Sequence, residues 1–254
     1  IDPYGSSLPP IENPRLVGTA LVFFSACAIL VCLALWIPWA INPHLGVAAD
    51  VQLIQLPSFL SWVTTPWVLL LGAVGLLGGV WVAMALRPRH VLDEGPRVRR
   101  HLWTIAVACT IGAILSVAIS LQQASVFNID LDSSPMAVYL ICQLPLLICC
   151  GGALLGFRGV LIHVGERSRV FREGGRSRQR ILDLLVALGV MTVALGLAQA
   201  GRAIDVPPLQ IIGRITFLLC GLMLLLGLIY LHCNTWWIRN AILTPPPTLD
   251  ELMM

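Results

Sequence analysis

Six long apolar runs, separated by charged or Pro-rich segments, are the feature that most constrains the fold of this chain. They cover residues 16–41, 66–86, 101–122, 135–162, 181–200 and 208–237. About 20 consecutive apolar residues let an α-helix cross the hydrocarbon core of a bilayer, and a spanning segment must satisfy its own backbone hydrogen bonds. We therefore predict an all-α fold: a polytopic integral membrane helical bundle of about six transmembrane helices, arranged as three hairpins.

The composition supports this prediction and excludes an ordinary soluble domain. The chain is 57% hydrophobic and only 11% charged, whereas soluble domains carry about 25% charged residues. No segment outside the apolar runs is long enough to fold alone. We therefore predict one transmembrane domain, residues 16–240, between an extended N-terminal tail, 1–15, and a Pro-rich C-terminal tail, 241–254.

The distribution of Arg residues predicts the orientation of the bundle. Twelve of the 16 basic residues lie in the segments 87–100 and 158–180, and the chain has no Lys. Loops rich in basic residues stay in the cytoplasm, so we predict that both segments and both termini are cytoplasmic. Arg in place of Lys is typical of a GC-rich bacterial genome, which favours the bacterial inner membrane.

The same Arg residues are predicted to contact anionic lipid headgroups or a partner, since Arg forms bidentate contacts with phosphate. They face a membrane surface, so we predict no nucleic-acid binding. The residues are Arg97, Arg99, Arg100, Arg167, Arg169, Arg172, Arg176, Arg178 and Arg180.

Small residues recur at helical spacing in the second and third runs. Such residues let two helices approach closely, and hydroxyl groups among them can form hydrogen bonds across the contact. We predict that these two helices pack tightly against another helix, or against each other. The residues are Gly72, Gly75 and Gly79 in the second run, and Thr104, Ala108, Gly112, Ser116 and Ser120 in the third.

Four residues are candidates for a solute pathway because polar groups and helix breaks are uncommon inside spans. Gln143 and Pro145 lie in the middle of the fourth run, where Pro145 is expected to kink the helix. Asp183 and Arg214 lie near the ends of the fifth and sixth runs. The structural alternatives are an ordinary bent helix, an Asp183 neutralised by nearby Arg residues, and an Arg214 that reaches Asp205 or the headgroups.

No cofactor is required by the sequence, and no metal site is predicted. His101 and His232 are the two histidines closest to the interior of a span, so they are the candidate ligands of a haem or chlorophyll-type pigment; the alternative is an interfacial position. The eight Cys residues all fall in or at the ends of apolar runs. We expect them to act as small buried apolar side chains.

The motifs of common enzymes, such as HExxH, GxSxG and the P-loop, are absent, so we predict that the protein is not an enzyme. The first hypothesis is a non-catalytic subunit of a multi-subunit inner-membrane complex, with membrane lipids and other membrane subunits as partners. The second is a transporter or permease subunit that moves a solute or lipid with a separate energising partner. The third is a haem- or pigment-binding electron-transfer subunit.

Overall fold

The computed structural model describes residues 11–41, 66–87, 91–92, 95–123, 135–167 and 181–243. Six helical stretches in this part are long and apolar enough to cross a membrane, and no strand occurs among the described residues. The predicted all-α bundle of about six spans is thereby confirmed. The helices are α1 (Pro14–Ile41), α2 (Pro66–Ala85), α3 (Pro96–Gln123), α4 (Pro135–Val138), α5 (Leu144–Arg167), α6 (Ile181–Ala203) and α7 (Pro207–Leu243).

The fourth span is interrupted. It consists of α4, a π-helical turn at Tyr139–Gln143, and α5. Pro145 follows the π-helical turn at the second position of α5. A proline has no N–H to offer the carbonyl four residues earlier, and its ring crowds that carbonyl. The irregular turn lies where this conflict is expected.

Five of the seven helices begin with Pro, whose fixed φ suits the first helical position and whose missing N–H is not needed there. Three helices extend well beyond their apolar runs. The helix α3 begins at Pro96 instead of residue 101, α5 continues to Arg167 instead of residue 162, and α7 continues to Leu243 instead of residue 237. Arg is a good helix former, so the apolar run predicts the membrane-embedded part of a helix and not its full length.

The turn between α6 and α7 is a Schellman motif. The N–H of Val206 donates to the carbonyl of Gly201 at 2.8 Å, and that of Asp205 donates to Arg202 at 3.4 Å. These two bonds satisfy the last carbonyls of α6. Asp205 takes the left-handed conformation that this motif requires, with φ of 53°, and Pro207 then starts α7.

The six spans form a closed ring. Each span contacts the next in chain order, and α7 contacts α1. Neighbouring helices are antiparallel: Gly18 near the start of α1 lies against Arg239 near the end of α7, while Trp36 lies against Gly221. Since six is an even number, α1 begins and α7 ends on the same side, which we name the terminal end; the other side is the opposite end.

The contact between α5 and α6 is the smallest in the ring. Each of the other joints brings more residues of its two helices together. The outward faces of all six spans carry large exposed apolar side chains, including Val74, Ile114, Val186 and Met223. Such faces are suited to contact lipid.

Candidate functional site

A cavity of about 70 Å³ lies inside the ring, and all six spans contribute to its wall. Its residues on α1 extend from Phe24 to Trp36, a length of about 18 Å at 1.5 Å per residue. The wall is apolar, so water would find few hydrogen-bond partners there, and apolar cavities of this kind stay dry. One wall residue from each span is Val31, Gly75, Cys109, Leu147, Met191 and Leu224.

Four thiols from three helices face this cavity: Cys27 and Cys32 on α1, Cys109 on α3 and Cys150 on α5. Glycines on α2 make room for two of them. A Cβ at Gly78 would lie 2.5 Å from the sulfur of Cys27. Among the described residues, no group of three or more His, Cys, Asp and Glu side chains could hold a metal ion. In this apolar wall the four thiols supply polarisable surface.

A polar cluster joins α1 to α7 on the terminal side of the cavity. The hydroxyl oxygen of Ser25 lies 2.8 Å from Nδ1 of His232 and 2.9 Å from the hydroxyl oxygen of Thr235. The hydroxyl of Thr235 also donates to the carbonyl of His232 at 2.8 Å. Ser25 and Thr235 have no exposed surface. His232 is one helical turn beyond Leu228, which lines the cavity, so the cluster lies beside the terminal end of the cavity.

The hydroxyl oxygen of Ser25 also lies 2.8 Å from the carbonyl of Val22, to which it can donate. If Nδ1 of His232 carries the proton, it donates to Ser25, Ser25 donates to the Val22 carbonyl, and Thr235 donates to the His232 carbonyl. If Nδ1 is unprotonated, Ser25 donates its single proton to Nδ1, and Thr235 donates either to Ser25 or to the His232 carbonyl. A Ser–His contact of this length resembles a nucleophile with its base, but a substrate cannot reach a fully buried Ser25. The cluster is suited to joining the first and last spans.

On the other side of the cavity, the indole ring of Trp36 packs against Gly221. A side chain at position 221 would occupy the space of the ring, so this glycine permits the contact. The indole nitrogen is buried without an acceptor among the described residues. The cavity therefore ends here against an aromatic ring and a helix backbone.

None of the four pathway candidates is among the residues that line the central cavity. Gln143 is fully buried in the π-helical turn, near the opposite end. Arg214 lies near that end too, and its guanidinium donates to Gln210 at 3.3 Å. Asp183 is in the first turn of α6, at the terminal end.

Seven of the eight small-residue positions are packed within the bundle, and the eighth, Thr104, is exposed. On α2, a Cβ at Gly72 would lie 3.5 Å from Ala34 of α1 and from the Ser116 hydroxyl of α3. Ser116 donates to the carbonyl of Leu69 at 2.7 Å, which joins α2 to α3. Gly112 contacts α2 and α5 through Leu76 and Leu146. The other positions are placed as follows: Gly75 against Val31, Gly79 against Cys109, Ala108 against Gly152, Ser120 buried and Thr104 exposed.

The two candidate pigment ligands belong to different helix contacts. The ring of His101 on α3 lies against Gly159 of α5, and His232 on α7 contacts Ser25 of α1. Neither is among the residues that line the central cavity.

Arg97, Arg99 and Arg100 are exposed in the first turn of α3, and Arg167 is the last residue of α5. Both places are at the terminal end. The remaining members of the predicted headgroup-contact set lie outside the described residues. They are Arg169, Arg172, Arg176, Arg178 and Arg180.

Neither the polar cluster nor the central cavity was predicted from the sequence. A weak signal for the cluster was present, because Ser25 and His232 are each a polar residue inside an apolar run, about equally far from the helix end. Nothing in either run shows that the first and last spans touch. The cavity had no sequence signal, since its wall collects one or a few residues from each of six helices.

Comparison with known proteins gives no match: no family model, no curated protein and no solved structure is significantly similar to this chain.

Proposed function

We propose that the protein is a membrane carrier that takes a small apolar compound from the bilayer into the central cavity. The observation that carries this proposal is the apolar wall supplied by all six spans. A hydrated or charged solute would lose its hydrogen bonds there without replacement. The compound is therefore of the lipid-soluble class, which fits the second of the sequence-based hypotheses.

The joint between α5 and α6 is the proposed route into the cavity. It is the smallest contact of the ring, and cavity-lining residues lie on both of its sides, including Leu154 and Leu188. Near the opposite end it is closed by Tyr139, whose hydroxyl donates to the carbonyl of Thr192 at 3.0 Å. Tyr139 begins the π-helical turn, and such turns recur at functional sites.

A photolabelling experiment tests the carrier. The purified protein in lipid nanodiscs is irradiated with an uncharged apolar diazirine, and the labelled residues are mapped by mass spectrometry. We expect adducts on the cavity residue Met191 as well as on the lipid-facing Met223, which is 67% exposed. Labelling of lipid-facing residues alone would refute the proposal.

Two substitutions sharpen the test. Ala153→Leu on the cavity wall should abolish the Met191 adduct, whereas Ala118→Leu on an exposed face of α3 makes the same chemical change and should leave it. Tyr139→Phe, which removes the hydrogen bond at the proposed route, should speed the labelling of Met191. Transport itself is measured as movement of the identified compound between proteoliposome populations.

The orientation belongs to the same proposal. The exposed Arg residues of α3 and the last residue of α5 are at the terminal end, so the positive-inside rule favours a cytoplasmic terminal end in a bacterial inner membrane. Labelling of an introduced cysteine at position 97 only from the cytoplasmic side would support this orientation. Labelling only from the other side would refute it.

A non-catalytic subunit of a larger complex is the second candidate. The observation that favours it is the length of α7, which at 37 residues is much longer than its neighbour α6 at 23 residues. Its terminal part carries the exposed Trp236 and Trp237. Co-elution of another chain in a fixed ratio after gentle detergent extraction supports this candidate, and elution of the protein alone counts against it.

A further inference from the structure

A second, larger cavity opens on the lipid-facing side of the bundle, between α6 and α7 near the terminal end. Its volume is about 560 Å³, which is within the range of sites for small molecules. Its wall is formed by eight residues of these two helices, and none of the eight lines the central cavity. We name this second cavity the α6–α7 groove.

Glycine creates the floor of this groove. A Cβ on Gly227 would collide with the end of the Leu184 side chain. The leucine therefore packs closely against α7 only because residue 227 is a glycine without a side chain. The wall above the floor is formed by Ala187, which is small, and by Met223, which is flexible and 67% exposed. This part of the groove is apolar and open to the acyl chains of lipids.

The other part of the groove is polar. It contains the carboxylate of Asp183, the phenol of Tyr230 and the amide of Asn234. Side chains on a helix lean toward its N-terminus. Because α6 and α7 are antiparallel, Asp183 leans toward the terminal end, while Tyr230 and Asn234 lean away from it, so the three polar groups converge. Asp183 and Asn234 also take part in other interactions within the chain.

The polar part lies at the depth of the membrane surface. Gly151 of α5 lies opposite Leu188 of α6, so the antiparallel arrangement places Arg158 opposite the first turn of α6, where Asp183 lies. On α3, Trp103 is half-exposed and carries the guanidinium of Arg87 over its ring at 4.6 Å. Aromatic and Arg residues of this kind mark the headgroup region. The groove is therefore apolar toward the bilayer centre and polar at the headgroups.

We propose that the α6–α7 groove binds a phospholipid with a primary ammonium headgroup, of the phosphatidylethanolamine class. One acyl chain lies along Ala187, Gly227 and Met223. The ammonium group donates hydrogen bonds to the carboxylate of Asp183, and the hydroxyl of Tyr230 and the amide of Asn234 donate to the phosphate or ester oxygens. Charge complementarity selects the headgroup, because a carboxylate attracts an ammonium and repels a lipid with net negative charge.

This site is distinct from the Arg-rich segments, which are predicted to contact anionic lipids. It is also independent of the carrier proposal, since the groove faces outward and the central cavity faces inward. A transmembrane helix of a partner with a basic side chain is the competing occupant.

Native mass spectrometry tests the proposal. The delipidated protein is exposed to equal amounts of phosphatidylethanolamine, phosphatidylcholine and phosphatidylglycerol with identical acyl chains, and retained lipid is counted. We expect about tenfold more phosphatidylethanolamine than phosphatidylcholine, because the quaternary ammonium of choline cannot donate the charged hydrogen bond. Asp183→Asn should remove this preference. The matched control is Asp205→Asn, which neutralises an exposed carboxylate at the opposite end and should preserve it.

A second variant keeps the charge and fills the apolar part. Ala187→Phe should lower the retention of all three lipids at this site while the protein stays folded by circular dichroism. Equal retention of phosphatidylethanolamine and phosphatidylcholine, a preference for phosphatidylglycerol, or an unchanged preference in Asp183→Asn would overturn the proposal. Co-elution of another membrane protein, with no retained phosphatidylethanolamine, would overturn it in favour of a partner helix.

Discussion

The contact between α6 and α7 allows a stability prediction from geometry alone. Gly213 of α7 lies against the backbone of α6: a Cβ at this position would be 2.6 Å from the nitrogen of Ala198 and 2.8 Å from the carbonyl oxygen of Ala194. These atoms belong to a rigid helix and cannot rotate away. Moving the nitrogen to the ordinary contact limit of 3.4 Å requires the helices to separate locally by about 0.8 Å.

The size of the effect follows from this separation. A gap of 0.5–1 Å removes roughly a quarter to a half of the dispersion energy of each atom pair at the contact, and overpacked sites typically lose about 1–3 kcal/mol. Gly213→Ala should therefore lower the free energy of unfolding by about 1–3 kcal/mol relative to a glycine replacement that meets no neighbour.

Gly189 of α6 supplies this reference, because a Cβ there has nothing within 4 Å. Both glycines lie inside a helix of the same hairpin. Replacing either by Ala lowers the backbone entropy lost on folding by a similar amount, which favours the folded state by about 0.5–1 kcal/mol at each site. The difference between Gly213→Ala and Gly189→Ala therefore isolates the packing cost. The measurement is unfolding by sodium dodecyl sulfate in mixed micelles, followed by circular dichroism. Equal midpoints for the two variants would refute the reasoning.

Three further predictions use the same unfolding assay or chemical labelling. His232→Ala removes the contact with Ser25 and should destabilise by about 0.6–1.7 kcal/mol, the range for hydrogen bonds between spans; no change would mean that the cluster does not join α1 to α7. Ser116→Ala should cost a similar amount, and a gain in stability would contradict its bond to α2. In the folded protein, N-ethylmaleimide should modify the exposed Cys233 and leave the buried Cys109 intact; equal modification would show that the ring is open.

The spans could be predicted from sequence because their cause is local. An apolar run of sufficient length has no stable alternative to a helix in lipid, so six runs gave six spans. The glycine and serine positions of α2 and α3 were recognisable as close-packing sites for the same reason, since a small side chain has the same effect against any neighbour. Which helix each of these positions contacts was left open by the sequence. Gly75 meets α1, and Ser116 meets α2.

The closure of the ring depends on residues far apart in sequence. Ser25 and His232 are separated by 207 positions, and nothing near either residue indicates the other. The interruption of the fourth span was partly predictable, because Pro145 cannot complete a regular helix. That the disturbance becomes a π-helical turn, with Tyr139 directed at Thr192 of the neighbouring helix, depends on the packing of α6.

The central cavity is costly to keep, and this cost bears on its role. Empty volume in a protein interior destabilises by about 24 cal/mol per Å³, so a cavity of 70 Å³ corresponds to about 2 kcal/mol. Ala153 on its wall offers a simple way to recover part of this energy, because a larger apolar side chain there would fill the space. If the cavity holds no ligand, Ala153→Leu should only stabilise the protein. If the protein is a carrier, the same variant should gain stability and lose ligand together, as expected where function requires a destabilising site.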